Sequence, residues 1–278
     1  MKSLIITADD YGMSKSVNDA IEEGMERSVI TSTNVMVNMP FYTGAAEVRE
    51  KFPDASIGLH WNLTVGKPVT VGTAVRTITD SEGNFCKPAE LLKRYRENKV
   101  SADELKLELM NQYNMFESVC GKPDYWNTHE NIHMHLGIFE VFLKLAWECQ
   151  MGKMRWHAKI WSEEAYKALG LKRHIMEYFK SAVLSIWKAE AKKKHMAFPH
   201  GLIVVNHSLA SLNDKNTKIM WEASEIGELT MHPAKSIDSG FFGDMTESRV
   251  NEYKALADHK LVDEIMNKYK LVNFDAVK

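Results

Sequence analysis

A chain of 278 residues, 45% hydrophobic and with a formal net charge of −2, holds enough apolar material for one large α/β domain or two small ones. Its acids and bases are interspersed, which argues against a nucleic-acid or anionic-membrane partner. Cys86, Cys120 and Cys149 are odd in number and lack CxxC spacing, so they read as reduced thiols and not as a disulfide framework or a Cys-rich zinc site.

No segment reaches the roughly 20 apolar residues of a membrane span, and no basic region leads a long apolar stretch at the N-terminus. The expectation is a cytoplasmic enzyme-sized domain. In chain order, Leu4-Ile5-Ile6-Thr7-Ala8 predicts a first strand that stops on Asp9 and Asp10. Val17, Ile21 and Met25, spaced four apart among acids, predict an amphipathic helix. Strands are predicted at 33–38 and 55–60, with a helix at about 42–51 between them.

Residues 61–100, punctuated by Gly66, Pro68, Gly72, Gly83 and Pro88, read as a loop-rich insertion of the kind that walls or covers a site. Beyond it the pattern predicts a helix at 102–119, a strand at 124–129, a helix marked by Ile138, Phe142 and Leu145, and a strand at 154–158. A helical stretch follows at 162–195, with Lys192-Lys193-Lys194-His195 closing a helix where cations suit its dipole. Strands at 202–206 and 228–232, helices at 246–258 and 260–269, and a last strand at 271–274 complete the series. Seven or eight βα units without an internal linker, and without GxGxxG after the first strand, predict a single domain over 1–278. Its expected fold is a distorted β/α barrel of mostly parallel strands.

In such folds chemistry gathers at the C-terminal strand ends. Two adjacent acids there are costly unless a cation balances them. His60, His129 and His232 each close another predicted strand. Asp10, His60 and His129 make a two-histidine, one-carboxylate face that suits a divalent metal with positions open for water and substrate. Hydrolysis at that metal needs a base and an acid, for which Asp9 and His232 are available. Strand alternation would let His133 converge with His129, as a substrate-binding candidate beside Arg155 and Trp61. Trp61, Trp126 and Trp156, beside site positions, suit either sugar stacking or the core. Arg155 suits orientation of an acid or contact with substrate.

Several blocks in order then resemble one family. They are Thr7-Ala8-Asp9-Asp10-Tyr11-Gly12-Met13-Ser14, the stretch from Gly24 to Asn38, and Gly58-Leu59-His60 with Gly66-Lys67-Pro68. Glu117 to Pro123 with His129 and His133, and Glu228, His232-Pro233 and Arg249-x-x-Glu252 follow. Together they resemble the YdjC-like carbohydrate deacetylases, the family of chito-oligosaccharide deacetylases. The resemblance implies Asp10, His60 and His129 as metal ligands, Asp9 as catalytic base and His232 as proton donor. It implies metal-dependent removal of acetate from an N-acetylated amino sugar or short oligosaccharide such as chitobiose, by a homodimer. It also places magnesium first as the cation, with zinc, manganese and cobalt as alternatives. Asn127 and Asn131 depart from the family pattern, which has Asp and His there. Those departures keep a non-catalytic sugar-binding reading in play beside the hydrolase, with a non-haem metal oxygenase as a third alternative.

Overall fold

A computed structural model describes the chain except for residues 136, 205–208, 210–221 and 223, together with the side chains of 164, 165 and 204. The last two residues of the strand predicted at 202–206, and His207, lie outside the described residues. Strand β1 (Lys2–Tyr11) leads into helix α1 (Lys15–Glu26), whose N-terminus is capped by the Ser14 side chain accepting from Val17 N–H. Val17, Ile21 and Met25 form the buried face of α1, as their spacing requires. Strand β2 (Ser32–Val35), helix α2 (Ala45–Lys51) and strand β3 (Ser56–Trp61) follow.

The insertion is more ordered than its glycines and prolines suggest. It holds a 3-10 turn at Arg76–Ile78 and helix α3 (Pro88–Arg96), entered through Pro88. Helix α4 (Ala102–Cys120) fastens it: Glu108 accepts from the backbone N–H of Val69 and Thr70, and Glu104 from that of Thr77. Strand β4 (Trp126–Thr128) and helix α5 (Ile138–Glu148) come next. Strand β5 (Lys159–Trp161) lies later than predicted: Lys153 and Met154 make only isolated bridges, to Ala197 and Trp126. Helices α6 (Glu163–Lys167) and α7 (Leu171–Lys193) precede strands β6 (Gly201–Val204) and β7 (Ile226–Met231). Helices α8 (Thr246–Ala257) and α9 (His259–Lys268) lead to strand β8 (Tyr269–Leu271). That strand is earlier than predicted, because Phe274–Ala276 turns as a 3-10 helix.

All strand pairings among the described residues are parallel, in the order β4-β3-β2-β1-β7-β6-β5, with β8 beside β1. The result is a curled half-barrel flanked by helices, the distorted β/α architecture expected. The bridges at 153–154 carry hydrogen bonding onward from β4. β1 is buried along nearly its whole length, as a strand covered on both faces should be. Among the described residues no helix is long and apolar enough to cross a membrane.

Candidate active site

The site starts from a fault in the register of β1. Ala8 pairs with Thr33 and Tyr11 with Val35, so three steps along β1 match two along β2. The extra residue is a bulge. Side chains of neighbouring strand residues point to opposite faces, so regular pairing would separate Asp9 from Asp10. Here Asp10 turns into the left-handed region at φ 73°, and both carboxyls join one hydrogen-bonded cluster. Asn34, on the neighbouring strand, supports the turn: its Oδ1 accepts from Asp10 N–H and its Nδ2 donates to Asp9 Oδ1 at 2.6 Å.

Asp10 is fully buried. Its Oδ1 lies 3.3 Å from His60 Nε2 at the end of β3 and 3.0 Å from His129 Nδ1 just beyond β4. Arg249 of α8 donates to Oδ2 at 2.5 Å. Burial opposes ionisation of Asp10, but Arg249 and His129 outweigh it and hold its pKa well below the ordinary value. Asp10 in turn raises the pKa of His129 against the effect of burial. One ligand atom from each of Asp10, His60 and His129 lies within 4.8 Å of the others. Metal bonds of about 2.0–2.2 Å would place neighbouring ligand atoms roughly 3 Å apart. The donor types and the 3.0 and 3.3 Å separations therefore fit a divalent cation.

Asp9 belongs to a second, interlocking network. Arg155 clamps it with two bonds, Nη1 to Oδ2 at 2.6 Å and Nη2 to Oδ1 at 2.7 Å. The same guanidinium donates through Nε to Glu228 Oε1 at 2.9 Å, which also accepts from Thr7 Oγ1. Burial penalises the Asp9 carboxylate, yet Arg155 more than compensates and its pKa falls. For Glu228 burial prevails and the pKa rises.

His232, one residue beyond β7, places Nε2 3.8 Å from Asp9 Oδ2. Its backbone N–H donates to Glu252 of α8. Burial outweighs the nearby aspartates and lowers the His232 pKa to about 4, while burial raises that of Glu252 to about 7. The imidazole is therefore neutral near pH 7 in this arrangement.

The structure sorts the remaining sequence expectations. Arg155 orients an acid. His133 is fully buried, on a 3-10 turn at His129–Met134 and not on an extended strand. The left-handed residues Glu130 and Asn131 make that turn, so strand alternation does not govern His129 and His133. His133 Nδ1 pairs with Thr128 Oγ1 at 2.6 Å, and among the described residues its Nε2 has no hydrogen-bond partner. Trp61 is corrected: it is fully buried, donates to Leu109 O and packs on Trp126 and Phe142, which removes it from a sugar-facing role. Trp126 and Trp156 are core residues for the same reason. Asn34 was missed, since an asparagine inside a short strand carries no distinctive signal. Arg249 and Glu252 had one: their i,i+3 spacing puts them on one helix face.

A curled parallel sheet with an Asp-His-His cluster at its C-terminal edge is a β/α-barrel protein with a possible metal-binding triad. More specifically, residues 3–266 match the YdjC-like protein family, and the chain belongs to it. A carbohydrate deacetylase of Clostridium beijerinckii is 31% identical over 176 residues, covering 63% of this chain and 68% of that protein. A chitooligosaccharide deacetylase of Yersinia enterocolitica is 32% identical over 148 residues, covering 53% of this chain and 56% of that protein. Among solved structures, a protein of Enterococcus faecalis V583, provisionally assigned to cellobiose-phosphate cleavage, shares the fold. Its TM-score is 0.72 at 22% identity, over 99% of this chain and 98% of that one.

Proposed function

We propose that this chain is a metal-dependent carbohydrate N-deacetylase, which hydrolyses the acetamido group of an amino sugar or short oligosaccharide such as chitobiose. The observation that carries the reading is the convergence of Asp10, His60 and His129 beside an Arg155-clamped Asp9, in a chain whose relatives are named deacetylases. Asp10, His60 and His129 would hold the cation, with magnesium first by family resemblance and zinc, manganese or cobalt as alternatives. A cation bound there would acidify a water molecule and polarise the amide carbonyl.

The protein's own residues handle the protons. Asp9 takes one from the attacking water. Arg155 fixes the carboxylate in place and keeps it ionised beforehand. His232 starts neutral, so it must gain a proton before it can protonate the leaving amine. Its Nε2 lies 3.8 Å from Asp9 Oδ2, beyond direct hydrogen-bond reach, so that same proton would pass from Asp9 to His232 through one water or after the two side chains close up, and then to the amine. The O–H bond of water and the C–N bond break, a C–O bond and an N–H bond form, and acetate and a free amino sugar leave.

The test is an acetate-release screen over short N-acetylated sugars, using metal-stripped protein and protein with each cation restored. Acetate appearing only with a cation supports the reading. Sugar binding by calorimetry without acetate release under any cation would instead favour the non-catalytic sugar-binding reading.

A further inference from the structure

We propose that the side-chain amide of Asn127 decides which ring nitrogen of His60 carries the proton, and that this amide must turn over for His60 to become a metal ligand. The inference rests on the reading that Asp10, His60 and His129 bind a divalent cation.

Asn127 is fully buried between two demands. On one side stands His60 Nδ1, 2.6 Å from Asn127 Oδ1. On the other stand donors only: Asn34 Nδ2 and both terminal nitrogens of Arg155. With Oδ1 toward His60, the Asn127 NH2 group faces those donors. Turned over, its oxygen accepts from Asn34 Nδ2 at 2.9 Å and from Arg155 Nη1 and Nη2 at 2.8 and 3.2 Å. Its nitrogen then donates to His60 Nδ1 at 2.6 Å. A buried amide with donors against donors loses the hydrogen bonds that offset its desolvation. The turned orientation satisfies every partner on both sides.

Each orientation dictates a His60 tautomer. If Asn127 donates to Nδ1, that nitrogen is bare and the proton sits on Nε2, where it can donate to Asp10 Oδ1 across 3.3 Å. That network is complete without a cation, and it points N–H at the position a cation would need. A ligating Nε2 must present its lone pair. One proton then leaves Nε2 and another is taken up at Nδ1, so the ring stays neutral. Nδ1–H needs an acceptor, so the amide must turn its oxygen to His60 and its NH2 group to Arg155. The contacts among Asn127, Arg155 and Asn34 are given up, and these two residues also hold Asp9. Asn127 thereby makes cation binding compete with the network around Asp9. A carboxylate at 127 would end the competition, because one oxygen accepts from His60 Nδ1–H while the other faces Arg155.

The experiment is ring-nitrogen NMR on 15N-histidine protein at pH 8, assigned with His60→Gln, with Zn2+ as the probe. For metal-free protein we expect the His60 proton on Nε2, and on Nδ1 after Zn2+ is added. In Asn127→Asp it should sit on Nδ1 before any metal, with Zn2+ affinity by calorimetry about 10–100-fold higher, the usual scale for residues that orient metal ligands. A proton on Nδ1 in the metal-free native chain would overturn the proposal. Equal Zn2+ affinity in the two proteins would overturn it while leaving the ligand set standing. Absence of Zn2+ binding by both would overturn the ligand set as well.

Discussion

Arg155 holds Asp9 through two charge-assisted hydrogen bonds, Nη1 to Oδ2 at 2.6 Å and Nη2 to Oδ1 at 2.7 Å, with both side chains buried. This geometry defines what each can do. The guanidinium bonds Asp9 through both terminal nitrogens and Glu228 through Nε, with Nη2 also 2.9 Å from Glu228 Oε1. Asp9 keeps its charge in a place where burial alone would neutralise it.

Removing that cation strands two buried acids. Arg155→Met should destabilise the fold by about 3–5 kcal/mol, the usual cost of breaking one side of a buried ion pair. Urea unfolding at pH 7 measures it. A loss under 1 kcal/mol would mean that Arg155 is not what keeps Asp9 and Glu228 in place.

The adjacent aspartates should separate by phenotype. Asp9→Asn should retain the cation and lose most turnover, since an amide cannot take the water's proton. Asp10→Asn should weaken cation binding first, because it replaces the carboxylate shared by His60 and His129. Metal analysis alongside acetate release checks both. The reverse pattern would exchange their roles.

His232→Ala should keep the cation and lose on the order of 10²–10⁴-fold in turnover, the range for a positioned proton-transfer group. Near-normal turnover with cation content confirmed would remove His232 from the proton path.

His133 gives a prediction about stability and pH. Burial lowers its pKa to about 3, from an ordinary value of 6.5. Between those values the unfolded chain holds the extra proton. The stability from a neutral His133 is therefore complete above pH 6.5 and lost as the pH falls toward 3. Between pH 7 and 4.5 the native chain should lose about 2.5 kcal/mol more than His133→Gln, from the roughly two pH units crossed below 6.5. Chemical denaturation at both pH values measures the difference. Parallel losses in the two proteins would contradict a buried neutral His133.

Much of this was legible in the residues because strand order and strand ends leave strong patterns. Apolar runs ending on Asp9-Asp10, His60 and His232 marked the edge where the cluster forms, and α1 followed from the spacing of Val17, Ile21 and Met25. Other features had no local signal. The bulge that brings Asp9 and Asp10 together depends on pairing with β2, and the left-handed turn at Glu130 and Asn131 displaces His133 from strand geometry. Trp61 suited a sugar or the core, and its neighbours Trp126 and Phe142, distant in sequence, decide for the core. Asn127 was visible as a departure, but its two-sided conflict emerges only where His60 and Arg155 meet it.

The central claim is that Asp10, His60 and His129 together hold the cation that makes the chain a deacetylase. The most direct test measures bound cation and acetate release on the same samples of the native chain, His60→Ala and His129→Ala, after stripping and reconstitution. The account predicts cation and acetate release in the native chain, and loss of both in each variant with circular dichroism unchanged. Full cation occupancy in both variants, or acetate release from the stripped native chain, would contradict it.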